Sequence, residues 1–137
     1  CYVHDVITTE LVEHFLEKYP DAELLIHPES AACSNRQLLE HPRVIVGSTT
    51  KIMNRPSESK YKQFLIATEP DTLAELTRLY PDLDIVPVIP EHRCEYMKLT
   101  TLENIHDALL HEQYEVKVPE ELREKAIVSI DRMLELS

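Results

Sequence analysis

The residues with the clearest potential for chemistry are three cysteines, Cys1, Cys33 and Cys94. None of them forms a Cys-x-x-Cys pair, so zinc-ribbon and two-thiol redox motifs are absent. An isolated cysteine is usually a small, buried hydrophobic residue. Widely separated thiolates can nevertheless hold an iron–sulfur cluster, and an iron without a protein ligand then acts as a Lewis acid. Spacing alone leaves both interpretations open.

A second group of candidates consists of histidines and a carboxylate. His27 and Glu29 lie on either side of Pro28, which stiffens the turn, and together they could form an acid/base pair in one pocket. The alternative is a solvent-exposed loop pair. His4, close to Cys1, could contact substrate or bind a metal, although a lone histidine more often does neither.

The third candidate is the segment Gly47-Ser48-Thr49, which contains the only glycine of the chain. A strand–Gly–Ser–Thr–helix junction can present backbone N–H groups and hydroxyls to a phosphate or carboxylate. The same residues are also typical of an ordinary helix cap, with glycine allowing a tight turn. Both interpretations remain open at this point.

Short apolar segments alternate with helical patterns along most of the chain. This order predicts an α/β fold, a three-layer α/β/α sandwich with a short four-stranded parallel sheet. Pro87 and Pro90 predict that the fourth strand is an edge strand or a short one. The predicted strands are residues 23–26, 43–46, 63–67 and 84–89.

Polar residues follow each predicted strand. Ligands of an open parallel sheet bind at the carboxyl ends of its strands, so we expect these side chains to face a common site. In strand order they are His27 and Glu29, Ser48 and Thr49, Thr68 and Glu69, and Cys94.

The helical patterns complete the architecture. A short helix from about Thr50 is expected to break near Pro56. Two further helices begin at Thr100 or Thr101 and at Pro119, and their apolar stripes need a surface to cover. Tyr-Pro-Asp occurs twice, at 19–21 and 80–82, each time between a helix and a strand.

Composition narrows the class of protein. The 137 residues carry a formal net charge of -11, which argues against nucleic acid or an anionic membrane as a partner. No apolar segment approaches the roughly 18 residues of a membrane span. An odd number of cysteines suits a reducing cytosol. Because the sequence opens at Cys1 without an initiating methionine, we expect it to be a piece of a longer polypeptide.

Five short motifs together resemble the quinolinate synthase family, in order and in rough spacing, over nearly the whole chain. The resemblance is to the C-terminal part of that family's chain. The motifs are Cys1-Tyr2-Val3-His4, His27-Pro28-Glu29, Gly47-Ser48-Thr49, Ala67-Thr68-Glu69 and Cys94-Glu95-Tyr96-Met97-Lys98.

The resemblance implies three similar α/β layers around a 4Fe-4S cluster, with one cysteine from each layer and one open iron. It implies a cytoplasmic enzyme that condenses iminoaspartate with dihydroxyacetone phosphate to give quinolinate for NAD synthesis. Aspartate oxidase is then a functional partner. Cys1 and Cys94 fall on two ligand positions, the third lies upstream, and Cys33 is predicted to be a non-ligand.

The resemblance also suggests roles for individual residues. His27 and Glu29 would bind substrate and act as acid/base groups at the open iron, and His4 would be a further substrate contact. Ser48 and Thr49 would hold a substrate phosphate or carboxylate.

Two regions follow from this assignment. Residues 1–93 would form one α/β layer, and residues 94–137 would form the cluster-ligand loop and helices that pack on an absent layer. Met97 would pack near the cluster rather than bind it. A cofactor-free flavodoxin-like binding module and a degenerate, non-catalytic homologue are the rival interpretations.

Overall fold

Four parallel strands form the centre of the protein, which is described here for residues 2–136 by a computed structural model. The strand order is β2-β1-β3-β4, so the predicted α/β class and parallel sheet are confirmed, with the fourth strand at an edge. The strands are β1 (Glu23–Ile26), β2 (Val44–Val46), β3 (Gln63–Ala67) and β4 (Asp84–Pro87).

Seven α-helices and two 3-10 turns surround or follow this sheet within the described residues. The 3-10 turns are Ala31–Ser34 and Met97–Leu99. The helices are α1 (Tyr2–Asp5), α2 (Thr9–Lys18), α3 (Arg36–Leu39), α4 (Thr49–Glu58), α5 (Thr72–Leu79), α6 (Leu102–His111) and α7 (Glu120–Glu135).

Both faces of the sheet are covered, which explains why its central strands β1 and β3 are apolar after their first residues, Glu23 and Gln63. Leu24 and Ile26 of β1 point into one core, which also contains side chains of α1 and α2. Leu25, between them, points into a second core with Ile52 of α4 and Leu76 of α5. Because alternate residues of a strand face opposite sides, this division makes three layers.

The two Tyr-Pro-Asp segments adopt the same turn. Tyr19 and Tyr80 end α2 and α5 with nearly equal backbone angles, φ -122°, ψ 75° and φ -130°, ψ 67°. Each donates its backbone N–H to the carbonyl four residues earlier, and each carbonyl accepts from the residue three positions on. The repeated sequence therefore marks a repeated helix-to-strand connection.

The predicted break near Pro56 is wrong, because α4 continues to Glu58 with a buried Pro56 inside it. A proline inside a helix removes one backbone hydrogen bond. Pro56 lies close to the end of α4, and the burial of Ile52 one turn earlier holds this helix against the sheet. The packing of α4 against the sheet therefore outweighs the cost of the backbone hydrogen bond that Pro56 removes.

Two compact units divide the chain, the first ending at Met97 and the second starting at Lys98. The second unit contains α6 and α7, neither of which has a buried residue. The functional division into residues 1–93 and 94–137 stays a prediction. Among the helices of residues 2–136, none has both the length and the apolar character to cross a membrane.

One buried ion pair fastens α4 to the sheet. The side chain of Glu23, at the start of β1, is 1% exposed, and both its oxygens accept hydrogen bonds from Arg55 of α4, at 2.8 and 2.6 Å. These hydrogen bonds raise the pKa of Arg55. The pair holds the helix that begins directly after Ser48.

We expect Arg55→Met to lower the free energy of unfolding by about 3–5 kcal/mol, because it leaves the Glu23 carboxylate buried without a counter-charge. The double variant Glu23→Met/Arg55→Met should regain most of that loss. Urea unfolding of the chain measures both, and Arg78→Met, which breaks an exposed pair with Glu75, is the control expected to have little effect. A double variant as unstable as the single one would contradict this account.

Candidate active site

The ends of β1 and β3 bring polar residues from distant parts of the chain together. Ile26 pairs in register with Ala67, and the N–H of His27 donates to the carbonyl of Ala67 at 3.2 Å. The next residue, Thr68, is 3% exposed. The predicted gathering of side chains at the carboxyl edge of the sheet therefore holds for the polar segments that follow β1 and β3.

His4 of α1 lies at the centre of these polar side chains and is 7% exposed. Its Nδ1 lies 3.2 Å from Oε2 of Glu29, and its Nε2 lies 3.0 Å from Oγ1 of Thr68. The imidazole of His27 stacks on that of His4, with ring centroids 4.1 Å apart and planes 10° apart. We call His4, His27, Glu29 and Thr68 the histidine cluster.

The surroundings of Glu29 and His27 set their protonation. The hydrogen bond from His4 is the main cause that lowers the pKa of Glu29. Burial, followed by the neighbouring His4, lowers the pKa of His27. Near neutral pH the cluster therefore combines an ionised carboxylate with a neutral imidazole, which suits Glu29 to accept a proton rather than to donate one.

The same residues could in principle bind a metal, since ligand atoms of His4, His27 and Glu29 lie within 4.8 Å of one another. A metal bound to an imidazole nitrogen lies close to the plane of that ring. Two stacked rings with nearly parallel planes cannot both meet this condition for one ion. In this arrangement the histidine cluster suits hydrogen bonding and proton transfer.

Cys94 lies after β4 and is a free thiol, 7% exposed, in the core that also contains Val3. Tyr2 connects α1 to both neighbours of this cysteine. Its hydroxyl accepts from the N–H of Glu95 at 2.8 Å and donates to the carbonyl of Arg93 at 3.4 Å. The helix that carries His4 is thus fastened to the Cys94 loop. Cys1, the other predicted ligand, lies outside the described residues.

Cys33 has a different environment. Its Sγ–H donates to the carbonyl of His27 at 3.4 Å, and burial raises the pKa of this thiol. A thiol with a raised pKa is a poorer metal ligand, because the thiolate is the form that binds metal. The prediction that Cys33 is not a cluster ligand rests on this geometry as well as on the sequence.

Ser48 and Thr49 follow β2 with exposed side chains. Oγ of Ser48 accepts from the N–H of Lys51 at 3.5 Å, so Ser48 is the N-cap of α4. This is the ordinary helix cap that the sequence offered as one of two interpretations. A Cβ on Gly47 would lie 2.6–2.8 Å from side-chain atoms of Lys51, so a larger residue here would force the Lys51 side chain to move. Met97, at the start of a 3-10 turn, is 63% exposed.

Three buried polar atoms lie in loops that follow the strands and have no hydrogen-bond partner within the described residues. They are Oγ of Ser30, Oε1 of Glu69 and Nε2 of His92. Buried polar atoms of this kind call for an explanation such as a ligand, a water or another part of the protein. Together with the free thiol of Cys94, they fit a site that binds something beyond this chain.

Sequence reasoning missed one contributor to the site, Tyr2, and one contact within it, between Thr68 and His4. The position of Tyr2 beside Cys1 predicts no role for it, and only the fold shows its contact with the Cys94 loop. Thr68 was placed at the sheet edge because it follows the third strand, but its contact with His4 spans 64 residues. No local pattern could have indicated that pairing.

The lowered pKa of His27 makes the stability of the chain depend on pH. An unfolded histidine binds its proton near about pH 6.5, whereas folded His27 binds it only at lower pH. The contribution to the free energy of unfolding that is present above about pH 6.5 is therefore lost as the pH falls through the pKa of folded His27. We expect His27→Asn to flatten this decline, measured by urea midpoints from neutral to mildly acidic pH. An unchanged decline would contradict the assignment.

Comparison with known proteins identifies the family. Residues 1–135 match the family model described as quinolinate synthetase A protein. Quinolinate synthase of Pyrobaculum aerophilum is 38% identical over 141 residues, covering 100% of this chain and 46% of the relative. The quinolinate synthase of Pyrococcus furiosus is 38% identical and the match covers 100% of this chain and 43% of the relative. The quinolinate synthase of Clostridium kluyveri is 35% identical, and that match covers 99% of this chain and 43% of the relative. The chain thus spans less than half the length of these relatives, and it belongs to the quinolinate synthetase A family.

Proposed function

We propose that this chain supplies part of the active site of a quinolinate synthase, which condenses iminoaspartate with dihydroxyacetone phosphate in the synthesis of NAD. The observation that best supports this is the double attachment of α1. His4 of that helix binds Glu29 and Thr68, while Tyr2 binds the backbone on both sides of Cys94. One short helix thus links a proton-transfer group to a free thiol.

Cys1 and Cys94 are the proposed ligands of a 4Fe-4S cluster, with a third cysteine from the rest of the polypeptide. The free thiol of Cys94 and the unpartnered buried atoms of Glu69 and His92 are consistent with a bound group at this edge. When bound, a cluster with one iron free of protein ligands supplies a Lewis acid that polarises a substrate oxygen.

The histidine cluster is the proposed acid/base machinery. Glu29, ionised near neutral pH, accepts a proton from substrate, and neutral His27 binds substrate beside it. His4 orients the Glu29 carboxylate through their 3.2 Å hydrogen bond and is proposed as a further substrate contact.

Ser48 and Thr49 are the proposed site for a substrate phosphate or carboxylate. Their side chains are exposed at the N-terminus of α4, where backbone N–H groups and the helix dipole favour an anion. This local field acts over one helix turn, so it operates despite the formal net charge of -11.

The second unit is proposed to pack on the part of the polypeptide that this chain lacks. Its helices have several large apolar side chains exposed, among them Leu102, Leu109, Leu122 and Leu134. Apolar surface on this scale marks an interaction site. In the complete, cytoplasmic enzyme these helices would cover an additional α/β layer.

The proposed substrates are small molecules, and their chemistry indicates which enzyme could supply one of them. Iminoaspartate is a product of amino-acid oxidation, so aspartate oxidase is the proposed source of this substrate.

The rival function is a cofactor-free flavodoxin-like binding module, which is favoured only by the strand order β2-β1-β3-β4.

Anaerobic reconstitution with iron and sulfide separates these functions. The complete polypeptide containing this chain should gain the broad visible absorption of an iron–sulfur cluster. Cys1→Ser and Cys94→Ser should each lose most of it, because each removes a ligand, whereas the matched variant Cys33→Ser should retain it. A colourless wild-type protein would favour the binding module, and a colourless Cys33→Ser variant would contradict the ligand assignment.

Replacement of Glu29 tests the proposed base. We expect Glu29→Gln to reduce kcat for quinolinate formation about a hundredfold or more, since an amide cannot accept the proton. The cluster absorption should stay at the wild-type level. Glu91→Gln changes an exposed carboxylate after β4 and should leave the rate unchanged. Wild-type kcat in Glu29→Gln would remove Glu29 from the mechanism.

A further inference from the structure

The hydroxyl of Tyr2 bonds to the backbone on both sides of Cys94. It accepts from the N–H of Glu95 at 2.8 Å and donates to the carbonyl of Arg93 at 3.4 Å. A tyrosine hydroxyl has one proton to donate and lone pairs that accept, so one group can serve both partners. The loop is thereby bonded to a single point directly before and directly after the thiol.

The ring of Tyr2 makes two further contacts with the same loop. It meets the ring of His92 at a centroid distance of 5.9 Å and an angle of 76°, and the ring of Tyr96 at 6.2 Å and 82°. Edge-to-face pairs at such distances attract each other. Tyr2 therefore contacts the two residues before Cys94 and the two residues after it.

The loop has little regular structure of its own. Residues 92–94 belong to no helix or strand, so no ladder of backbone hydrogen bonds fixes them. Nε of Arg93 donates to Oδ1 of Asp71 at 3.0 Å, but the two side chains are 60% and 39% exposed, and exposed ion pairs contribute little. The contacts with Tyr2 are therefore an important restraint on where the Cys94 backbone lies.

We propose that Tyr2 is a positioning residue for Cys94, whose hydroxyl holds this thiol at a defined place before any iron binds. The inference rests on the proposed function, in which Cys94 is a ligand of the cluster. Tyr2 itself is not proposed to bind iron. Because Tyr2 directly follows Cys1 in the sequence, one residue links the two proposed ligands of this chain.

Tyr2 can hold the loop because the helix that carries it is itself fixed. Val3 and Ile7 are 1% and 0% exposed, and they lie in the same apolar core as Cys94. The carbonyl of Ile7 also accepts from the N–H of Ala32 at 2.9 Å. The side chain of Tyr2 thus extends from an anchored segment, and its hydrogen bonds transmit that anchoring to the loop.

The consequence concerns the binding of iron. A ligand whose place is already fixed loses less conformational entropy when the metal binds. Without the hydroxyl, the N–H of Glu95 and the carbonyl of Arg93 would bond to water, and the loop would open more often. The Cys94 thiol would then react more readily in the absence of a cluster, and a bound cluster would be lost faster.

The experiment compares Tyr2→Phe, which removes the hydroxyl and keeps the ring, with Tyr96→Phe, which removes a hydroxyl from a side chain that is 74% exposed. In the reduced, cluster-free complete polypeptide, mass spectrometry follows alkylation by iodoacetamide at Cys94 and at Cys33. In the anaerobically reconstituted polypeptide, the visible absorption follows the loss of the cluster to an iron chelator.

We expect Tyr2→Phe to speed both the alkylation of Cys94 and the loss of the cluster roughly three- to tenfold, the range that loss of a hydrogen bond implies. Cys33, which donates to the carbonyl of His27, should react at the wild-type rate, and Tyr96→Phe should change neither rate. Wild-type rates in Tyr2→Phe would overturn the proposal. So would an equal increase at Cys33, which would indicate a general loosening of the fold.

Hydrogen exchange in the wild type is a second measurement, and it needs no variant. The N–H of Glu95 should exchange at least about tenfold more slowly than in an unstructured peptide, because Tyr2 accepts its hydrogen bond. NMR of the cluster-free complete polypeptide measures this rate. Exchange at the unprotected rate would contradict the proposed restraint.

The alkylation measurement does not depend on iron. If the wild type takes up no cluster but Cys94 reacts faster in Tyr2→Phe, the proposed function fails and the role of Tyr2 in positioning Cys94 stands. If the wild type takes up a cluster and neither rate changes in Tyr2→Phe, the proposed function stands and this inference fails.

Discussion

The parallel pairing of β1 with β3 is the constraint on which the candidate site depends. Ile26 lies opposite Ala67, so the chain leaves both strands at the same level of the sheet. A shift of this register by one residue would turn every side chain to the opposite face. The two apolar cores on either side of the sheet prevent such a shift, since Leu25 and Leu65 fit only one core each. Core packing thus sets the position of His27 relative to Thr68.

Helix α1 depends on this framework because four residues cannot form a stable helix alone. It is held by contacts with other elements: Val3 and Ile7 are buried in the core, His4 binds Thr68, and Tyr2 binds the loop around Cys94. These contacts reach residues more than 60 positions away in sequence. The same short segment therefore joins the proposed base, Glu29, to the proposed cluster ligand, Cys94.

The residues of the histidine cluster differ in burial and in charge. His4 and Thr68 are buried, whereas the Glu29 side chain is more exposed to solvent. Burial and then the neighbouring His4 lower the pKa of His27, and the stacking of the two imidazoles places their charges close together. The hydrogen bond from His4 is the largest of the effects that lower the pKa of the Glu29 carboxyl.

The sequence by itself determined the α/β class, the four strands and the residues that follow them, because apolar strands and capping residues are local patterns. Its motifs also indicated the family. The continuation of α4 through Pro56, the stacking of His4 on His27 and the contact of Thr68 with His4 were decided only by the tertiary structure. Each of these depends on packing or on residues far apart in the chain, and a local pattern holds no information about side chains that meet only after the sheet has formed.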